Sequence, residues 1–311
     1  MEKVVVYSHP NCLLKYNGLK HPERKERLET VLKSIKTINR KNIILKESSF
    51  AKLENLYFVH PKEYINELFN NIPVSGLMSV EKEPYADTFL CKDSKNAILN
   101  ACGAGIDASN SMINGNIKRF FCAVRPPGHH AETSRANGFC FVNNIAITAK
   151  YLQKKFSIDR IGIIDFDVHH CNGTQEIFYN DKNVFCGSIH QFPLFPGTGS
   201  EEEVGAGNIF NAPIPAGTNF KYFMEILDKK ILSKIDSFKP EIILVSAGFD
   251  AHKRDPLSNV NLESNNFYEI TKKIVEISNI HCNGRIISFL EGGYDLLALS
   301  ESVKEHVLAL H

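Results

Sequence analysis

Two carboxylates and two imidazoles close the stretch Ile161-Gly162-Ile163-Ile164-Asp165-Phe166-Asp167-Val168-His169-His170. The stretch opens as an unbroken apolar run, the pattern of a strand buried on both faces of a parallel sheet. Side chains alternate along a strand, so Asp165, Asp167 and His169 fall on one face. Three such groups at the end of a buried strand are costly to desolvate unless something compensates. A divalent metal does so, because carboxylate oxygen and imidazole nitrogen are both zinc ligands. The alternative is an Asp/His hydrogen-bond cluster that caps the strand.

The surrounding elements must bring partners to that strand end. With 311 residues and 43% hydrophobic composition, the chain can bury a sizeable core in one α/β domain spanning residues 1–311. A net charge of +1 gives no basic excess for nucleic acid and no acidic tail. The 8 cysteines form no CxxC pair and lie mostly in apolar runs, as reduced core thiols of a cytoplasmic protein do. Residues 1–7 read as a first strand rather than a signal peptide, and no run approaches the ~18 apolar residues of a membrane span.

Strand patterns at 120–124, 161–166, 184–189, 241–247 and 285–290 alternate with helical patterns at 142–155, 173–180, 219–237, 264–279 and 295–309. A small-residue helix at 94–114 precedes them, and residues 71–90 read as a long loop. Such alternation predicts a central, mostly parallel sheet with helices on both faces. In open parallel sheets, ligands bind beyond the C-terminal strand ends. The strand at 120–124 runs into Arg125-Pro126-Pro127-Gly128-His129-His130. The strand at 241–247 runs into Gly248-Phe249-Asp250 and on to Asp255, and that at 285–290 into Glu291-Gly292-Gly293-Tyr294. The plausible catalytic groups therefore share one sheet edge.

These segments, with Gly138-Phe139-Cys140-Phe141-Val142-Asn143-Asn144 and Pro196-Gly197-Thr198-Gly199, resemble the motifs of the histone deacetylase superfamily, close to its class II and bacterial members. The motifs occur in the family's order and span most of the chain. The resemblance implies a three-layer arginase/deacetylase-type α/β fold and amide hydrolysis by metal-activated water. It further implies Asp167, His169 and Asp255 as ligands of zinc, with iron(II) or manganese(II) as alternatives. His130 would be the general base and then the acid, and His129, bonded to Asp165, would act electrostatically. Asn172 would back His130, and Tyr294 would donate to the developing oxyanion. Gly138, Phe139, Phe195 and Leu257 would line the substrate channel. Ser188, with carbonyls of Asp165, Asp167, His169 and Ile189, matches the family's monovalent-cation site, implying potassium. Arg27 matches an arginine near the inner end of the channel.

Two positions depart from the family's usual residues. Cys171 stands where glycine is usual, which would strain the backbone if that residue needs positive φ. Otherwise it is a tolerated small substitution or an oxidisable thiol. Asn172 stands where class I members carry Asp, and a neutral amide would raise the His130 pKa less than a carboxylate would. His170 and His190 read as support for the ligands, and Glu201-Glu202-Glu203 as a solvated loop face. Three functions fit: an acyl-lysine deacylase acting on proteins or peptides, an acetylpolyamine amidohydrolase, and a non-catalytic acyl-lysine-binding module. Tyr294 argues against the last. Leu257 argues against the second, which would want an acid there, although Glu81 or Glu83 could supply one.

Overall fold

A computed structural model describes residues 2–81 and 86–311. Ten strands occur among them. They are β1 (Val4–Ser8), β2 (Ile43–Glu47), β3 (Met78–Ser79), β4 (Phe89–Leu90), β5 (Arg119–Cys122), β6 (Ile161–Asp165), β7 (Val184–Gln191), β8 (Ile209–Ile214), β9 (Ile242–Ala247) and β10 (Ile286–Leu290). Eight form one sheet in the order β2-β1-β5-β10-β9-β6-β7-β8. Every pairing in it is parallel. All C-terminal strand ends therefore open on the same edge.

The central strands are fully buried because helices cover both faces, which is why they read as continuous apolar runs. Adjacent residues of β10 show the two layers. Ser288 Oγ lies 2.8 Å from Nε2 of His306, on helix Leu296–Leu310. The next ring, Phe289, faces the opposite way, onto Gly105 of helix Ser94–Ile113. A Cβ at Gly105 would sit 2.7 Å from Phe289 Cζ, so glycine lets that helix approach the sheet. Helices Lys25–Lys36 and Asn266–His281 flank Leu296–Leu310, whereas Asn144–Phe156 packs on Ser94–Ile113.

Two sheet strands lack the apolar pattern of the others. β2 and β8 are the edges; β2 is half exposed, and β8 contains Pro213, which a central strand would not accommodate. The 71–90 segment contains the short antiparallel pair β3–β4 rather than loop alone. The single helix expected at 219–237 is two helices, Phe220–Ile226 and Ser233–Phe238, joined by a π-helical segment, Leu227–Leu232. Among the described residues, no helix is long and apolar enough to cross a membrane.

Candidate active site

Asp165 ends β6, and its carboxylate turns the following chain. Oδ1 accepts the amide of Asp167 at 2.9 Å, and Oδ2 faces His129 Nδ1 at 3.0 Å. Asp167 Oδ1 accepts the amide of His169 at 2.9 Å, and Oδ2 accepts that of Gly292 at 2.8 Å. His169 Nδ1 then stands 3.1 Å from Asp167 Oδ1 and 3.1 Å from Asp250 Oδ2. One ligand atom from each of Asp167, His169 and Asp250 lies within 4.8 Å of the other two, and all three residues are buried.

These residues fit a divalent ion. Zinc–ligand bonds of about 2.0–2.1 Å imply a tetrahedral edge of roughly 3.3 Å, close to the observed separations. The site is also crowded with negative charge. Burial pushes Asp250 up to about 7, with Asp167 adding to the effect. Burial likewise raises Glu291 to about 7 against the pull of His129. Burial opposes charge on His129 and His169, but the carboxylates prevail and carry both to about 10. Glycine makes the close approach sterically feasible. A Cβ at Gly248 would lie 2.0 Å from Asp167 Oδ2, and one at Gly292 would lie 2.1 Å from Asp250 Oδ2.

His130 differs from both other histidines. Its Nδ1 lies 2.8 Å from Asn172 Oδ1, an acceptor, so Nδ1 carries the hydrogen and Nε2 keeps its lone pair. Burial, then His129 and His169, hold its pKa well below the ordinary histidine value. His130, His169, Phe139, Phe195, Leu257, Gly138 and Tyr294 line a channel of about 250 Å³. Phe195 meets the His130 ring edge-on at 5.0 Å, and Phe139 meets Tyr294 at 5.9 Å. Burial keeps the Tyr294 hydroxyl protonated, and Arg27 lies 4.8 Å from the ring. The Arg27 guanidinium also donates to the carbonyls of Gly293 at 2.6 Å and Glu291 at 2.5 Å, fixing the loop that carries Tyr294.

The sheet edge thus gathers His129, His130, Asp165, Asp167, His169, Asn172 and Tyr294, together with Asp255, whose carboxylate interacts electrostatically with His169 and Asp250. Asp255 Oδ1 accepts the amide of Leu257 at 3.0 Å, and Oδ2 accepts those of Tyr294 at 2.6 Å and Asp295 at 3.4 Å. Both oxygens accept backbone amides, as both oxygens of Asp167 do, and in this structure the atoms that meet beside Asp167 and His169 are those of Asp250. Ser188 lies opposite Asp165 in the β6–β7 register with its hydroxyl 2.9 Å from His190 Nδ1, and Ile189 follows it, paired with Ala212.

Cys171 has φ −79°, so no strain arises there. Its thiol lies 4.0 Å from that of Cys186 and is pushed well above the ordinary value by that contact and by burial, which makes it a poor nucleophile. Glu81 is engaged with the amides of Asp87 and Thr88 at 2.8 and 2.9 Å, and Glu83 lies outside the described residues. The acid at the channel mouth is Asp87, which the sequence reading passed over. No periodicity singled it out within the 71–90 segment.

Sheet, layers and edge define the three-layer α/β fold of the arginase/deacetylase type. The chain matches the crystal structure of the HDA15 HD domain with a TM-score of 0.91 and 30% identity, over 99% of this chain and 88% of that one. The histone deacetylase domain profile matches residues 21–310. A probable deacetylase of Archaeoglobus fulgidus is 37% identical over 283 residues, covering 89% of this chain and 77% of the relative. Histone deacetylase 14, chloroplastic, of Arabidopsis thaliana is 35% identical, covering 98% and 76%. The chain belongs to the histone deacetylase family, and it is a hydrolytic deacetylase.

Proposed function

We propose that residues 1–311 act as one catalytic domain that removes acyl groups from lysine side chains of proteins or peptides, with a divalent ion, zinc first, held by Asp167, His169 and a third carboxylate, Asp250 or Asp255. The observation that carries this reading is the placement of those three groups beside a neutral His130 in a narrow aromatic channel. When bound, the ion supplies Lewis-acid polarisation of the amide carbonyl and a nucleophilic water at neutral pH. The chain's own residues do the rest. Phe139 and Phe195 hold an extended alkyl chain. His130 Nε2 takes a proton from the attacking water and returns it to the leaving amine nitrogen. The Tyr294 hydroxyl donates to the carbonyl oxygen as negative charge develops. His129, kept charged by Asp165 and Asp167, adds positive potential without moving a proton.

Leu257 at the mouth supports acyl-lysine over acetylpolyamine, because it offers a polyamine ammonium no ion pair. The test measures acyl release from an acetyl-lysine peptide and from acetylspermidine, before and after chelation and zinc restoration, with metal content followed by mass spectrometry. Peptide hydrolysis lost on chelation and restored by zinc is the expected result. Undiminished hydrolysis by metal-free protein, or acetylspermidine preferred tenfold, would overturn the reading.

A further inference from the structure

We infer that Glu203 is a positioning residue: its carboxylate holds the channel wall at Phe195 in register with the helix that supports His130. This rests on the proposed function for its kinetic readout, but the contacts stand apart from it. Phe195 sits in a turn closed by the Gly197 amide on the Leu194 carbonyl at 2.8 Å. Glu203 Oε1 accepts the next amides, those of Gly199 at 3.0 Å and Ser200 at 2.9 Å. Its other oxygen accepts Gln175 Nε2 at 2.5 Å. Gln175 belongs to helix Asn172–Phe178, whose first residue holds His130. One carboxylate therefore joins the wall of the channel to the partner of its base.

The proton order of this network is fixed by its members. Asn211 Nδ2 donates to Gln175 Oε1 at 2.8 Å and to the Ser200 carbonyl at 3.2 Å. Gln175 Oε1 is thus an acceptor, and His170 Nε2, 3.1 Å away, must donate to it. His170 Nδ1 then accepts from the Thr198 hydroxyl at 2.8 Å, a second tie to the wall. His190 adds a third through the Gly199 carbonyl at 3.0 Å. Gly199 has φ +96°, and a Cβ there would lie 2.4 Å from His190 Nε2, so the turn is seated directly on the histidine pair.

Only a carboxylate satisfies this order. A glutamine at 203 has one acceptor oxygen for the amides of Gly199 and Ser200 and turns an NH2 toward the NH2 of Gln175. If Gln175 flips to answer it, its NH2 faces the NH2 of Asn211. If Asn211 flips as well, the Ser200 carbonyl loses its donor. Every arrangement leaves one group of this half-buried network without its protein partner. Glu201 and Glu202 are exposed, and Glu201 pairs only with Lys230 at the surface, so they serve as controls.

The experiment is kinetic, on the 311-residue chain with an acetyl-lysine peptide. Glu203→Gln should raise KM about tenfold while kcat stays within about threefold, because the wall moves and the metal ligands do not. Glu201→Gln and Glu202→Gln should match the parent. On a Phe195→Ala background, Glu203→Gln should add less than about twofold, because its effect passes through Phe195. A parent-like KM in Glu203→Gln, the same shift in either control, or full additivity with Phe195→Ala would overturn the inference. Should Glu203→Gln fail to fold, Thr198→Val is read by the same criteria. If the parent does not hydrolyse the peptide, the functional reading fails. Hydrogen exchange at the Gly199 and Ser200 amides then decides the structural claim alone: acceleration in Glu203→Gln supports it and unchanged exchange overturns it.

Discussion

Two clusters of buried charge clamp the Glu291–Tyr294 loop, and they solve the same problem in opposite ways. Arg27 holds the carbonyls of Glu291 and Gly293, while Asp167 holds the amide of Gly292. Behind Arg27, the single carboxylate of Glu23 is fully buried with Arg27, Arg125 and Lys15. Arg125 donates to both its oxygens and to the carbonyls of Cys12, at 2.9 Å, and Lys15, at 3.2 Å. Lys15 Nζ donates to the carbonyls of Tyr16, at 3.2 Å, and Phe89, at 2.7 Å. Burial pushes Glu23 up, but Arg125 and the other cations outweigh it and bring it down to about 2. In the active-site cluster, by contrast, Asp250 and Glu291 are driven up to about 7. The first cluster sets one carboxylate among three cations whose other donors go to backbone carbonyls; the second gathers carboxylates around two histidines. The raised carboxyls are what the proposed divalent ion would offset.

The strongest way to break this comparison is to remove a carboxylate from the second cluster. Asp250→Ala should abolish turnover, by roughly 10³-fold or more, the equivalent of several kcal/mol of transition-state stabilisation. It should also lose stoichiometric metal on dialysis. A variant that keeps one tightly bound ion, measured by mass spectrometry, would show that Asp250 is not a ligand.

Removing the carboxylate from the Glu23 cluster should act on stability instead. Glu23→Gln leaves three buried cations without their anion and should cost about 3–5 kcal/mol, read from denaturant midpoints. The sign with pH is set by the lowered value. Stabilisation by Glu23 is complete above about pH 4.5 and is withdrawn as pH falls through about 2. The variant should lack that acid-limb dependence, and a parallel fall in both proteins would refute the assignment. Tyr294→Phe should lower kcat by about 10²–10³ with metal content unchanged, the usual loss for one oxyanion donor. Near-normal kcat would remove Tyr294 from the chemical step.

How far the sequence carried this comparison follows from what each cluster shows locally. The acidic cluster grows from strand ends, and apolar runs that stop at Asp, His, Gly and Tyr are visible without coordinates. Hence the edge, the tandem histidines and Tyr294 were legible. The resemblance named Asp255 as the third ligand, whereas the structure brings Asp250 to Asp167 and His169. Asp250 lies three residues beyond the end of β9 and Asp255 eight, and the loop between them brings the first to His169 and the second to the Tyr294 amide. The Glu23 cluster left less signal: the resemblance placed Arg27 near the inner end of the channel, but nothing local marked Glu23 and Lys15 as buried beside it. Their burial depends on the loops before helix Lys25–Lys36 folding over them, a long-range event with no period. The same holds for Glu203, whose neighbours at 201 and 202 are solvated as expected while it turns inward to Gln175.

The smallest effect concerns the mouth, where charge is sparse. Leu257 lines one part of the rim, and Asp87 lines another. Asp87 is raised to about 6 by burial and then by Glu81, so its negative charge at neutral pH is held less firmly than that of an exposed aspartate. An ammonium along an acetylpolyamine therefore meets one weakened acid and one apolar side chain. Leu257→Glu adds a carboxylate where the acyl-bearing chain emerges. Near a protein surface, a charge pair at 4 Å contributes about 4 kcal/mol before desolvation and salt reduce it. Exposed pairs retain about 1 kcal/mol or less of such a term. The expected result is a several-fold rise in kcat/KM for acetylspermidine and a fall for acidic acetyl-lysine peptides, both shrinking as ionic strength is raised. Asp87→Asn should move the same ratio the other way. If Leu257→Glu leaves the ratio of the two substrates unchanged at low salt, the rim does not select by charge, and preference is set deeper, between Phe139 and Phe195.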